Sequence, residues 1–398
     1  MTNALRKKDK WILAGLMGLS VVVRLILAPN TTLSPDYETF YKAWALAYRE
    51  MGFVEGMSHV IGDYYVPFNL MYALVGALPF EPWVLTALIP SVFDFLNGYL
   101  VYRIVRLVTE EAGRPSVRLA AYAGVCSTLL PFVPFNSALW KQVDSIYVFF
   151  ALWAVLLLVQ DRALFAFVLL GVSFSLKQQA VFCIPFFGLM YFLKRRTPAH
   201  FSLLQFGWLP FLYLVTGLPA VLCKRGLRAT YFTYFRQLME GSAAIEDYGM
   251  VSNYPNLYQL GDLDDRLDVL STPAVLFTFL LLLGILLLTL RFRKTVTRTQ
   301  LFAICAYMVW TCTLFLPSMH ERYDYLAVLL FSALAFGGFS TALLPAVVLN
   351  VGQFLTYLIA CHFAIPILPL TFVYVAVYLL TGYSLWRGLL SGAGTATA

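Results

Sequence analysis

The chain contains apolar runs long enough to cross a bilayer, and they recur from end to end. Trp11 to Ala28 holds one charge, Arg24, while positions 201–223, 272–290 and 341–361 hold none. A transmembrane helix needs about 20 predominantly apolar residues. Charged residues make up only 12% of the sequence and hydrophobic ones 60%, against roughly 25% charged in a soluble domain. The expected fold is therefore an all-α polytopic membrane protein, one membrane-embedded unit over residues 1–398 with no room for a large soluble domain.

The formal net charge of +7 does not point to nucleic acid. Lys and Arg gather in short stretches beside apolar segments, as at Arg6 to Lys10, Lys194 to Arg196 and Arg291 to Lys294. This is the pattern of cytoplasmic loops that orient a membrane protein. The six cysteines, 126, 183, 223, 305, 312 and 361, mostly lie inside apolar runs, and no pair has metal-ligand spacing. They read as small buried apolar residues. The first apolar run follows a basic start, as a signal peptide would. It carries Arg24 and lacks a small-residue cleavage site, so the expectation is a retained first helix.

Placing helices by apolar length and orienting them by Lys/Arg bias gives about twelve crossings with both ends cytoplasmic. Helix 1 spans roughly 11–29, an outer loop runs over 30–66, residues 66–80 are interfacial, and 82–107 crosses. Later crossings fall near 117–135, 145–160, 163–176, 180–193, 203–222, 272–290, 299–317, 325–340, 341–361 and 367–386. A long polar loop, 223–271, lies outside.

On this map five polar clusters share the extracytoplasmic face: "SPDYETF" (34–40), "WKQVDS" (140–145), "LKQQA" (176–180), "CKRGLR" (223–228) and "MHERY" (319–323). Positive-inside bias does not account for cations on that side, and ionisable groups at a membrane carry a presumption of function. In the first cluster Ser34 is a natural helix cap and Pro35 suits a first helical position. The bland reading of Asp36 is then a first-turn acid. The chemical reading is a carboxylate that deprotonates an attacking hydroxyl, with Glu38 as the second candidate. Gln142 and Asp144 can hydrogen-bond sugar hydroxyls beside Lys141, with Trp140 packing on a ring or lipid. The plain alternative is an interfacial Trp with ordinary loop polars. Lys177 and Gln178 interrupt a long apolar region, where a lysine either snorkels or binds an anion. Lys224 and Arg225 suit an anionic lipid. His320 and Arg322 can donate to a phosphate, Arg through its planar fork. Glu321 can orient one of them, and Tyr323 can pack at the interface. The competing reading of that cluster is a satisfied Glu–Arg pair at a helix end.

One base, several cations and sugar-type hydrogen bonders on one membrane face form a parts list for attack on a sugar linked to a lipid phosphate. Phosphate is a good leaving group, so a single carboxylate fits an inverting displacement, unlike the paired carboxylates of retaining hydrolases. At these residues the chain resembles the GT-C superfamily of polytopic glycosyltransferases that use polyprenyl- or dolichyl-phosphate sugars. It is similar to bacterial relatives of the GPI mannosyltransferases and to the dolichyl-phosphate-glucose-dependent glucosyltransferases. The resemblance implies helical outer loops packed over a cavity, Asp36 as catalytic base and "HERY" beside the donor phosphate. It also implies a polyprenyl-phosphate-sugar donor, a cell-surface glycan or glycolipid acceptor, and a plasma-membrane location. No cofactor is expected. A divalent metal shared by Asp36 and Asp144 stays open. The competing function is a transporter or flippase of lipid-linked saccharides, which needs polar residues mid-membrane; Asp94 and Asn97 are the one such pair found.

Overall fold

The computed structural model describes residues 5–34, 36–240 and 249–395. Pro35 lies outside the described residues, as does 241–248 within the expected outer loop. The elements are α1 (Lys7–Leu27), α2 (Lys42–Ser58), α3 (Val66–Ala77), α4 (Pro82–Glu111), α5 (Val117–Ser127) and α6 (Phe132–Leu139). They continue as α7 (Asp144–Val159), α8 (Ala163–Leu176), α9 (Ile184–Lys194), α10 (Trp208–Leu222), α11 (Leu227–Tyr231) and α12 (Thr233–Glu240). The last are α13 (Leu267–Arg291), α14 (Arg298–Phe315), α15 (Tyr325–Phe336), α16 (Leu343–Ala360) and α17 (Ile367–Thr395). The only strands among the described residues are β1 (Val251–Ser252) and β2 (Met319–His320), a two-residue parallel pair.

A helix apolar on all sides must sit in a core or in lipid, and both cases occur. α7, α14 and α15 are buried nearly all round and form the centre with α4. α13 has the same composition but turns Leu276, Phe279, Leu280 and Leu287 outward, more than half exposed, as a lipid-facing helix does. α4 and α5 cross at Gly98 and Gly124, where a Cβ on either would stand 2.6–2.7 Å from the other's carbonyl oxygen. Any side chain there would push apart the helix that carries Asp94 and Asn97.

The all-helical membrane architecture holds, but the expected count of twelve crossings is not confirmed. Among the described residues six helices are long and apolar enough to span, seven if α5 and α6, bent by 43°, form one broken span. The reason is length. α7, α8 and α15 have 16, 14 and 12 residues. At 1.5 Å per residue they reach about 24, 21 and 18 Å, short of the ~30 Å hydrocarbon core. Each stops at one end on a polar residue buried in the protein, α7 at Asp144, α8 at Lys177 and α15 at Asp324. The 66–80 segment is α3, whose 12 residues pack a largely buried face against α2. The expected crossing at 180–193 is a 3₁₀ turn, Gln178–Cys183, followed by the 11-residue α9. The loop at 30–66 is helical through α2, and part of 223–271 is helical through α11 and α12. The β1–β2 ladder, which ties the second loop to the "MHERY" segment, was not foreseen.

Candidate active site

The site is assembled from helix ends and broken helices. A five-residue π-helical turn, Tyr37–Tyr41, follows Asp36. Ser34 caps it as expected: its Oγ accepts from the Tyr37 amide (3.3 Å) while donating to the Trp140 carbonyl (2.7 Å). Two donors from the "WKQVDS" turn converge on one oxygen of Asp36. Trp140 Nε1 donates to Oδ2 at 2.9 Å, and Gln142 Nε2 donates to the same atom. Asp36 Oδ1 accepts no hydrogen bond among the described residues. Gln142 is fixed from its other end by the Tyr64 hydroxyl, 3.3 Å from Oε1.

Asp144 is the electrostatic centre. Its Oδ1 accepts from Lys177 Nζ at 2.5 Å, and its Oδ2 takes Asn136 Nδ2 at 3.1 Å and faces Arg322 Nε at 3.6 Å. The carboxylate is fully buried, while the Arg322 side chain is 14% exposed. Arg322 Nη1 also pairs with Glu321 Oε1, and its guanidinium lies 6.0 Å from the Trp140 ring centre. Trp140 thus touches both Asp36 and the cation. His320 Nδ1 stands 3.6 Å from Glu321 Oε2, and its ring meets Tyr323 edge-on. The Lys177 ammonium sits over the rings of Tyr64 and Tyr147.

Burial raises the Glu321 carboxyl, but the charge of Arg322 and the hydrogen bond from His320 outweigh it and hold the group at about 2. Arg322 is opposed by burial and held firmly protonated by Glu321, Asp36 and Asp144. Lys177 is lowered by burial, partly offset by Asp144. Both cations are thus paired with buried carboxylates, Arg322 with Glu321 and Asp144 and Lys177 with Asp144. Arg322 Nε is buried without a hydrogen-bond partner, so one strong donor there is unspent.

Of the other sequence candidates, Glu38 forms an exposed pair with Lys42 at 3.0 Å, which lowers its carboxyl. Of the two candidate bases, Asp36 is therefore the one joined to the cluster. Lys141 is fully buried with its backbone in the left-handed region (φ 63°). Its ammonium caps the Leu139 carbonyl at 2.9 Å and lies over Tyr37, so it serves the turn and faces none of the cluster's carboxylates at pairing distance. Gln178 is half-buried at the start of its 3₁₀ turn and joins none of these hydrogen bonds. Lys224 is exposed, and Arg225 is buried against the Met57 carbonyl and Asn69 Oδ1, both at 2.9 Å. These two are held apart from the Asp36–Asp144–Arg322 cluster. No group of three or more His, Cys, Asp or Glu that could hold a metal occurs among the described residues.

Sequence reading passed over Asn136, Tyr64 and Asp324. The signal for Asn136 was present, an amide inside "LLPFVPFNSAL"; Tyr64 had none in a chain with 24 tyrosines. Asp324 closes the "HERYD" run and is fully buried. Tyr254 donates to its Oδ2 and Gln353 to its Oδ1, each at 3.0 Å. Burial pushes its carboxyl up to about 7 despite the Tyr254 bond. Between the ordinary carboxylate value and 7 the folded state holds a proton that the unfolded chain has released. Stability contributed by this group is thus lost as pH rises through that window. Asp324→Asn is expected to raise the melting temperature more at pH 8 than at pH 5. An equal change at both pH values would show that the group does not titrate there.

A family model described as "Glycosyltransferase family 87" matches residues 64–318, more than half of the chain. The match contains Gln142, Asp144 and Lys177, while Asp36 and His320 to Tyr323 flank it. No match to the chain was found among curated proteins. A polytopic helical chain whose buried charges gather where its helices break is the setting in which that match falls. The chain belongs to glycosyltransferase family 87, and is a membrane glycosyltransferase.

Proposed function

We propose that the protein transfers a hexose, mannose-like or glucose-like, from a polyprenyl-phosphate donor to a hydroxyl of a cell-surface glycan or glycolipid. The reaction runs at the extracytoplasmic face of the plasma membrane with inversion at the anomeric carbon. The observation that carries this reading is the Asp36 carboxylate, gripped through one oxygen by Trp140 and Gln142, next to the Arg322 guanidinium. In the reaction Asp36 Oδ1 takes the proton of the acceptor hydroxyl as that oxygen attacks C1 of the sugar. The C1–O bond to phosphate breaks, and its electron pair leaves with the polyprenyl phosphate. Arg322 and Lys177 neutralise the charge that grows on the departing phosphate, the kind of fixed electrostatic stabilisation that dominates many enzymes. A phosphate entering the cluster meets the unpartnered Arg322 Nε and competes with Asp144 and Glu321 for the two cations. In this reading the charge on the phosphate is met by the protein's own cations, Arg322 and Lys177.

The test uses purified protein with polyprenyl-phosphate mannose and polyprenyl-phosphate glucose, each with and without a glycolipid acceptor. Mass spectrometry follows donor loss and product. One donor should be consumed and its sugar appear on the acceptor or as free hexose by slow hydrolysis. Full recovery of both donors under all conditions would overturn the reading.

A further inference from the structure

The mid-membrane pair Asp94 and Asn97 has a use other than a transport path. Both lie on α4, with Pro90 and Ser91 on the same face at helical spacing. Asp94 Oδ2 accepts from Ser137 Oγ at 2.5 Å, and Ser91 Oγ lies 3.5 Å from the same hydroxyl. One turn further along, Asn97 Nδ2 donates to the Ser145 carbonyl at 2.9 Å, and Ser145 Oγ donates back to the Pro90 carbonyl at 2.8 Å. α4 therefore grips the chain at Ser137 and again at Ser145. Between those grips lie Trp140, Gln142 and Asp144. Ser137, Ser145, Asp94 and Asn97 are each at most 2% exposed.

The turn between the grips has bonds of its own, from the Gln142 amide to the Asn136 carbonyl and from Lys141 Nζ to the Leu139 carbonyl, both at 2.9 Å, but it also carries strain. Lys141 at its centre adopts φ 63°, a conformation L-residues avoid and hold only when the surroundings impose it. Asp94 is anchored in turn. Arg24 of α1 donates to it from Nη2 at 2.7 Å and Nε at 3.2 Å, and from Nη2 to the Thr128 carbonyl at 3.0 Å. A buried ion pair is a poor source of net stability, because desolvation offsets much of the attraction. Its directionality is what an apolar pair lacks. Asp94 Oδ1 also lies 3.4 Å from the Tyr325 hydroxyl, three residues after Arg322. One carboxylate thus stands between the turn that holds Asp36 and the segment that holds the cation.

We propose that Asp94, Asn97 and Arg24 are positioning residues that set the 137–145 turn, and through it the donors to Asp36. This rests on the proposed function only for its activity readout. The test pairs Arg24→Met/Asp94→Leu, an apolar exchange of the ion pair, with Asn97→Leu, which removes one hydrogen bond and guards against a double variant that does not fold. Hydrogen exchange of peptides covering 136–146 is measured in detergent with the melting temperature, and turnover is measured with polyprenyl-phosphate mannose and glucose. The expected result is exchange at least tenfold faster in 136–146 with little change in α14, a melting temperature within a few degrees of wild type, and turnover down about tenfold or more at nearly constant donor KM. Unchanged exchange in 136–146 in either folded variant, or turnover that falls only in step with the melting temperature, would overturn it. Faster exchange in a protein whose wild type uses neither donor supports the positioning role and counts against the donor reading, so the two failures are distinct.

Discussion

Asp36→Asn is expected to lower turnover by a factor on the order of 10² to 10⁴ while donor KM changes little. The amide keeps the size and shape of the side chain but cannot take a proton at neutral pH. Trp140 Nε1 and Gln142 Nε2 both donate to Oδ2, and the amide oxygen can keep those bonds, so the fold should not register the change. The donor phosphate is expected near Arg322 rather than at Asp36, and removing a negative charge beside it would if anything tighten donor binding. As a mere first-turn acid, Asp36 would lose only tenths of a kcal/mol on becoming Asn. Glu38→Gln serves as the partner experiment. Glu38 is 39% exposed and paired with Lys42, so this variant should remain active. Activity in Asp36→Asn with none in Glu38→Gln would move the base two residues along the chain. Activity in both would remove the carboxylate mechanism.

The second large effect belongs to Arg322. Glu321 is 1% exposed and Asp144 fully buried, and Arg322 faces both. Arg322→Ala strands Glu321 as a buried carboxylate with only His320 nearby, a change worth about 3–5 kcal/mol of stability when one partner of a buried pair is removed. The expected outcome is a protein that loses both activity and a large part of its thermal stability. Glu321→Gln added to Arg322→Ala should restore much of the stability, because the stranded charge is gone, and none of the activity. Arg322→Lys keeps a charge without the planar fork, so it should fold and show a raised donor KM. If Glu321→Gln/Arg322→Ala regains wild-type turnover along with stability, Arg322 is a structural counter-ion and does not meet the phosphate.

The chain's helical class was legible because apolar length is a direct consequence of bilayer thickness. The number of crossings was less so. A run such as 163–193 reads as two crossings by hydropathy, yet Lys177 is pulled inward to Asp144 and shortens the helix on its N-terminal side. Length counting assumes that polar residues mark the membrane surface, and here Lys177 and Asp144 are buried against each other instead. The convergence of "SPDYETF", "WKQVDS", "LKQQA" and "MHERY" could be anticipated, since charges in so apolar a chain need partners and these were the ones on one side. Which member of each motif takes part could not. Lys141 and Gln142 are neighbours, but a left-handed backbone at 141 sends one side chain to its own turn and the other to Asp36. "CKRGLR" looked equivalent to the other clusters, yet Arg225 binds Asn69 and the Met57 carbonyl. Nothing in the spacing marks that difference, which depends on where α10 ends relative to α3. Asp94 and Asn97 were seen as polar residues in a span, and their partners, two serines eight residues apart, became visible only in three dimensions.

The central claim is a single displacement at C1 with Asp36 as base, and the anomeric configuration of the product reports on it directly. A polyprenyl-phosphate hexose of defined anomeric configuration is incubated with the wild-type protein and acceptor, and the new linkage is read by the one-bond C1–H1 coupling in NMR. The account predicts the opposite anomer, formed at a rate that collapses in Asp36→Asn. A product that keeps the donor's configuration, or an inverted product formed equally fast by Asp36→Asn, would contradict it.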